Sequence, residues 1–283
     1  MESKKIKALI KVLFSILLLW FVFRQIDYKE ALNTIKSANG YYLFLAFIFF
    51  NLSKIVSSVR LNWYFKEIGI NLSQKINLIL YYIGMFYNLF LPGGIGGDGY
   101  KAYLLKKYFS AKLSDILQSL IIDRVSGLIA LIFLALILYF FSDFDYFKVL
   151  ALILALLTYP IFYILNRFYG KFLKYYKQTY LLGLLVQILQ VISAYFIVKA
   201  LPANLPTIDI LVLFLISSVV AVLPISIGGV GVREFTFLYG AKLLGFNPSA
   251  GVAFSLIFFL ITMASSLIGI LFIHKEIFDE VKS

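Results

Sequence analysis

Two copies of one eleven-residue pattern break into otherwise apolar sequence, and they limit the possible folds more than any other feature. Leu91-Pro92-Gly93-Gly94-Ile95-Gly96-Gly97-Asp98-Gly99-Tyr100-Lys101 and Leu223-Pro224-Ile225-Ser226-Ile227-Gly228-Gly229-Val230-Gly231-Val232-Arg233 both read L-P-x-x-I-G-G-x-G-x-[KR], offset by 132 residues. Each follows an apolar stretch (76–91 and 207–223) and precedes another (100–109 and 232–244). Proline ends a helix by removing a donor and clashing with the preceding turn, and the glycines admit positive φ and close backbone approach. Irregular backbone at membrane depth is tolerable only where it is buried in protein or lines a wet cavity. Each motif is therefore expected to join two half-helices in a re-entrant hairpin, one around Pro92, Gly93, Gly94, Gly96, Gly97 and Gly99, the other around Pro224, Gly228, Gly229 and Gly231.

The membrane setting follows from composition. Of the 283 residues, 62% are hydrophobic and 14% charged, against roughly 45–50% and about 25% in a soluble domain. That excludes a soluble enzyme, a disordered protein and a nucleic-acid-binding module, so the net charge of +12 bears on topology and lipid headgroups. There is no cysteine and one histidine, His274, which rules out disulfides and thiolate chemistry and argues against a metal centre. No cofactor and no metal are expected.

Apolar runs of bilayer-crossing length, about 20 residues, occur at 7–23, 41–59, 116–141, 147–166, 181–199 and 250–273. The first carries a basic start but no small-residue cleavage site after it, which reads as a retained anchor. The spans repeat as the motifs do: 7 maps to 147, 41 to 181 and 116 to 250. We read 1–283 as a single all-α transmembrane domain made of two units, about 7–141 and about 147–273. Each unit has three spans and one re-entrant hairpin. Three crossings is an odd number, so the second unit is expected to be inverted relative to the first, an arrangement common in transporters. With both termini cytoplasmic, seventeen of the 26 Lys and Arg residues fall inside and seven outside, in keeping with the positive-inside rule.

Charges in apolar surroundings supply the candidate site. A half-helix starting after each glycine cluster points its amides and positive dipole end into the membrane, a ready anion site. Lys101 and Arg233 stand in those first turns and oppose the dipole unless an anion lies between, for which a lipid phosphate is the obvious candidate. Close packing through small residues is the plainer alternative. Asp123 and Arg124 sit adjacent in a span, where each charge costs about 2.5–3.5 kcal/mol on insertion scales. Neighbouring helical residues do not face each other, so each needs a partner on another helix. Ser119, Asp123 and Ser126 form a polar stripe, as do Asn51, Lys54 and Ser58, and Gln187 with Gln190. Together they suggest a hydrated interior, with structural ion pairs as the alternative. Arg60, next to Trp63 at a span end, could equally be an interface anchor. Glu234 could cap its helix, balance Arg233 or accept a proton. The candidate substrate-binding set is Asp98, Lys101, Asp123, Arg124, Arg233, Glu234, Arg60 and Lys54. Gly94-x-Gly96-x-x-Gly99 also matches a dinucleotide fingerprint, but no strand precedes it.

The Pro92–Lys101 motif, Asp123-Arg124-Val125-Ser126-Gly127-Leu128, Arg60-Leu61-Asn62-Trp63 and the Pro224–Glu234 segment resemble the flippase-like transmembrane family. This is the membrane region of lysylphosphatidylglycerol synthase, also known as an uncharacterised bacterial and archaeal membrane family, and the resemblance covers nearly the whole chain. It implies a bacterial or archaeal inner-membrane protein that moves a lipid between leaflets. The synthase adds a soluble aminoacyl-transfer domain, whereas this sequence stops ten residues after its last span, so lysyl transfer is not expected of it. The favoured function is translocation of an anionic, aminoacylated or polyprenyl-phosphate-linked lipid. The alternatives are a membrane partner or anchor for a separate glycosyltransferase or lipid-modifying enzyme, and a membrane-embedded lipid transferase using Asp98 or Asp123 as base. Expected partners are membrane lipids with anionic headgroups, and no nucleic acid.

Overall fold

The computed structural model describes residues 2–90, 96–142, 147–222 and 229–273, with the side chains of 2–12, 14 and 90 left aside. Among the described residues there is no β-strand. Eleven α-helices follow in order: α1 (Glu2–Gln25), α2 (Tyr28–Lys36), α3 (Gly40–Glu67), α4 (Gln74–Phe90), α5 (Gly96–Tyr108), α6 (Leu113–Phe140), α7 (Lys148–Tyr169), α8 (Tyr176–Ala200), α9 (Thr207–Val222), α10 (Val232–Leu244) and α11 (Pro248–Leu267), which runs on into a 3-10 turn, Ile268–Phe272.

Five of these helices, α3, α6, α7, α8 and α11 with its 3-10 extension, are long and apolar enough to cross a bilayer. The chain is an all-helical, multi-pass membrane protein. The sixth expected span is helical as α1, whose described apolar part is Ser15–Gln25. The helices beside the glycine motifs are shorter. With 17, 13, 16 and 13 residues, α4, α5, α9 and α10 reach about 20–26 Å at about 1.5 Å per residue, short of a hydrocarbon core of about 30 Å. Pro92, Gly93, Gly94, Pro224 and Gly228 lie outside the described residues. One helix was not anticipated: α2, which Asp27 caps by accepting the Lys29 and Glu30 amides at 2.9 and 3.1 Å.

Lateral packing in a membrane lacks a hydrophobic drive and relies on small residues and interhelical hydrogen bonds. Both are present. The most extensive helix pair, α3 with α8, meets across Ala46, Ser193 and Ala194, all fully buried, with the Ser193 hydroxyl donating to the Ala46 carbonyl at 2.8 Å. Asn51 joins three helices. Its amide donates to Ser265 of α11 at 3.0 Å and its carbonyl accepts from the Tyr82 hydroxyl of α4 at 2.9 Å. The larger apolar cluster gathers α3, α6, α8, α9, α10 and α11 around Phe50, Phe214, Phe237, Phe254 and Phe258.

Helix ends fall into two groups. The ends of α3 and α5 and the starts of α4 and α6 share one apolar cluster, from Leu61 and Phe65 to Leu105 and Ile116. Lys171 to Asp115 at 2.6 Å, and the Tyr175 amide to Glu67 at 2.6 Å, join the turn between α7 and α8 to the same group. The other group holds the ends of α1, α8 and α10 and the starts of α3 and α11. It is linked by the Asn39 amide to the Ala200 carbonyl at 2.8 Å, Lys242 to Gln25 at 3.0 Å, and Asn247 to Glu30 at 2.7 Å.

Candidate functional site

A cavity of about 370 Å³ lies between the two halves of the chain. Its wall draws on α3, α4, α5 and α6 from the first half and on α8, α9 and the start of α10 from the second. At about 30 Å³ per water the space holds roughly a dozen. The lining includes Lys54, Arg60, Asp98, Lys101, Asp123, Arg124 and Arg233, seven of the eight residues singled out in the sequence. Gln187 and Gln190 also face it. Counting back from the end of α3 and forward from the start of α6, which are grouped together above, Arg60, Arg124 and Lys54 stand about 10, 16 and 20 Å along their helices at about 1.5 Å per residue. Two aspartates and five cations therefore line one cavity within an apolar bundle.

The ion pairs follow helix geometry. Asp123 and Arg124 are adjacent and point apart. Asp123 turns to α3, where Arg60 Nε meets its Oδ1 at 2.8 Å with both side chains nearly buried. Arg124 turns to α5 and bonds Asp98 through Nε. Asp98 also accepts from Lys101 Nζ at 3.1 Å, one turn along the same helix. Lys101 opposes the α5 dipole as foreseen, but the anion that compensates it is Asp98 in the same first turn, where a carboxylate is favoured. Arg60 is no interface anchor: it is 5% exposed, its guanidinium lies against the backbone at Gly127 and Gly183, and its Nη1 has no hydrogen-bond partner among the described residues. Trp63 packs instead against Tyr175, with ring centres 4.5 Å apart and planes tilted by 46°.

In the second half the pattern changes. Val230 stands where the first motif has Asp98, and Arg233 has no carboxylate within ion-pair distance among the described residues. It donates to the Ser218 hydroxyl at 3.0 Å and lies 5.2 Å over the Phe258 ring. Lys54 resembles it, with its ammonium 4.3 Å over the Phe50 ring and within electrostatic reach of Arg233 and Arg60. Glu234 alone of the eight does not line the cavity. It is 1% exposed and accepts the Gly231 amide at 2.7 Å and the Ser255 hydroxyl at 2.9 Å, so it caps α10 and ties it to α11. It lends Arg233 Coulomb attraction as a chain neighbour but no hydrogen bond. Glu234→Gln keeps the acceptor of a capping box, so the thermal midpoint is expected to stay within about 2 °C of wild type. A larger drop would show that the cap needs the carboxylate charge.

The polar stripes divide. Ser58, Ser119 and Ser126 each bond a carbonyl one turn back on their own helix, so their hydroxyls are structural, whereas Lys54, Asp123 and both glutamines border the cavity. Among the lining residues that sequence reasoning passed over are Tyr81, whose ring lies 4.8 Å from Lys101 Nζ, Met85, Asn88 and Ser218. Asn88 had a visible signal, an amide three residues before Leu91 in an apolar run. Its Oδ1 accepts the Gly97 amide at 2.8 Å and so holds the start of α5 against α4. Gly97 itself packs so close to α4 that a Cβ there would stand 1.9 Å from the Gly84 carbonyl oxygen. Among the described residues no cluster of three His, Asp or Glu side chains could hold a metal.

Two archaeal UPF0104 membrane proteins are similar. One, from Pyrococcus horikoshii, is 24% identical over 156 residues, 54% of this chain and 45% of that protein. The other, from Methanocaldococcus jannaschii, is 25% identical over 126 residues, 44% of this chain and 38% of that protein. The matched stretches thus span less than half the length of these curated relatives. The family model for the lysylphosphatidylglycerol synthase transmembrane region matches residues 8–269, and the chain belongs to that family.

Proposed function

We propose that this protein carries lipid headgroups across a bacterial or archaeal cell membrane through the charged cavity between its halves. The observation that carries the proposal is the excess of cations there, five against two carboxylates, in a bundle where each charge is costly. A structural network would be expected to neutralise itself. Arg60–Asp123 does, and Asp98 answers Lys101 and Arg124, yet among the described residues Lys54 and Arg233 have no carboxylate within ion-pair distance. An anionic headgroup can meet them while its acyl or prenyl tails stay in lipid.

The two units are expected to be inverted and to rock against each other around the cavity. Their packing supports this, because α4 of the first half meets α11 of the second, and α9 of the second meets α6 of the first. The α4–α5 pair opens among one group of helix ends, and the end of α10 lies in the other. We place the first group, richer in Lys and Arg, in the cytoplasm. Against a transferase, both candidate bases, Asp98 and Asp123, are held by cations. Lys75→Cys and Lys242→Cys, in this cysteine-free chain, are expected to react with an impermeant maleimide from opposite sides. Labelling from the same side would overturn the inverted arrangement.

Proteoliposomes holding the purified protein and labelled phosphatidylglycerol or polyprenyl phosphate are expected to show leaflet exchange at least tenfold above empty vesicles. Arg124→Ala should abolish it without loss of folded protein. If no lipid exchanges, translocation fails, and a role as membrane partner of a separate enzyme becomes the better account.

A further inference from the structure

We infer that the headgroup accepted by the cavity is a phosphomonoester or diphosphate on a lipid chain, and not a phosphodiester or aminoacylated one. This rests on the translocation proposal above and narrows it. The cavity wall carries three more positive than negative charges. A phosphodiester such as phosphatidylglycerol brings one negative charge, and a lysyl ester of it brings none or a net positive one. A terminal phosphate brings about −1.5 to −2 near neutral pH and three acceptor oxygens, and a diphosphate more. Of these headgroups, the terminal phosphate and the diphosphate come nearest to balancing the wall.

The excess charge has a definite position. At the first hairpin Asp98 pairs with both Lys101 and Arg124, so a carboxylate already occupies that pole and leaves one positive charge over. At the second, the matched position is Val230, Glu234 is committed to Gly231 and Ser255, and Arg233 faces the cavity together with Lys54. A phosphate there supplies the negative charge that Asp98 supplies at the first. Two further atoms mark the site. Arg60 Nη1 and Gln187 Oε1 are buried without a hydrogen-bond partner among the described residues, each on a lining residue 5% exposed. An unmade hydrogen bond to a buried charged group costs more than one to a neutral group. If the headgroup reaches these atoms, a phosphate oxygen accepts from the guanidinium and the protonated oxygen of a monoester donates to the amide. A diester has no such proton.

The test is equilibrium binding by the intact detergent-solubilised protein of five probes: geranylgeranyl monophosphate, geranylgeranyl diphosphate, inorganic pyrophosphate, phosphatidylglycerol and lysylphosphatidylglycerol. The first two are expected to bind at least tenfold tighter than the other three. Arg233→Gln and Lys54→Gln should each lose tenfold or more. Val230→Asp, which places a carboxylate three residues before Arg233 as Asp98 stands before Lys101, should lose as much while eluting as a monodisperse, folded protein. Equal binding of phosphatidylglycerol or its lysyl ester would overturn the headgroup assignment and leave translocation standing. Pyrophosphate binding as tight as the prenyl diphosphate would overturn the lipid assignment. Full affinity in folded Arg233→Gln would overturn the position. Tight binding of the prenyl phosphates with no exchange in vesicles would reject translocation and keep the anion site.

Discussion

Gly97→Ala is expected to abolish folded protein, whereas Gly99→Ala, two residues along the same motif, should behave as wild type. A Cβ at Gly97 would stand 1.9 Å from the Gly84 carbonyl oxygen and 2.8 Å from its Cα, while one at Gly99 meets nothing within 4 Å. The obstacle at Gly97 is backbone, so α4 and α5 must separate, and overpacking of this severity exceeds the usual 1–3 kcal/mol. Separation would also break the Asn88 cap on the Gly97 amide and shift Asp98 from Arg124. Gly84→Ala gives an intermediate case. Its Cβ meets Lys101 Cε at 2.4 Å, the far end of a flexible side chain that can move aside. The protein should fold, lose most exchange activity and retain its thermal midpoint within a few degrees. Size-exclusion yield and thermal unfolding separate the three. Normal yield of Gly97→Ala would mean that the α4–α5 approach is looser than described.

The second large effect concerns the Arg60–Asp123 pair. Asp123→Leu leaves a guanidinium buried without a counter-charge, and breaking a buried pair in this way costs about 3–5 kcal/mol. Removing both charges is a different matter. Arg60→Met with Asp123→Leu replaces the pair by apolar side chains of similar bulk, which is often neutral or stabilising. The single variant is therefore expected to aggregate in detergent, and the double variant to recover a thermal midpoint at or above wild type with exchange still lost. If the double variant also restored exchange, the pair would be structural and Arg60 would have no part in headgroup binding. If the single variant were as stable as wild type, the burial of the pair would be in question.

Much of the architecture was legible because bilayer thickness sets a length scale on sequence. The five long helices fall where apolar runs of about 20 residues occur, and the break between α9 and α10 was placed from Pro224 and its glycines, α10 occupying the anticipated 232–244. The helix α2 was missed because only nine residues at a membrane surface need no apolar run. Its cap was nonetheless written in Asp27 and Glu30. The i,i+3 spacing of Asp98 and Lys101 was equally readable as an internal pair, yet the compensating anion was sought outside the chain. Other features depend on residues distant in sequence. Glu234 is a cap tied to Ser255, 21 positions on, and Arg60 is buried because Gly127 and Gly183 leave room for its guanidinium. Nothing local distinguishes Gly97, pressed against a neighbouring carbonyl, from Gly99, open on every side.

The mismatch between Asp98 and Val230 has a kinetic consequence. A duplicated chain, unlike a symmetric pair of identical subunits, can alter one copy of a position without altering the other. Here Lys101 and Arg124 share the Asp98 carboxylate, whereas Arg233 bonds only the neutral Ser218 hydroxyl and has no carboxylate within ion-pair distance among the described residues. If the protein is the carrier proposed above, it runs over a lopsided free-energy profile. Microscopic reversibility forbids it from accumulating lipid in one leaflet without an energy source, but lets it saturate at different concentrations from the two sides. Its unidirectional fluxes, measured from each leaflet, would then have unequal half-saturation points and a common equilibrium, and Val230 would be the residue that sets the difference.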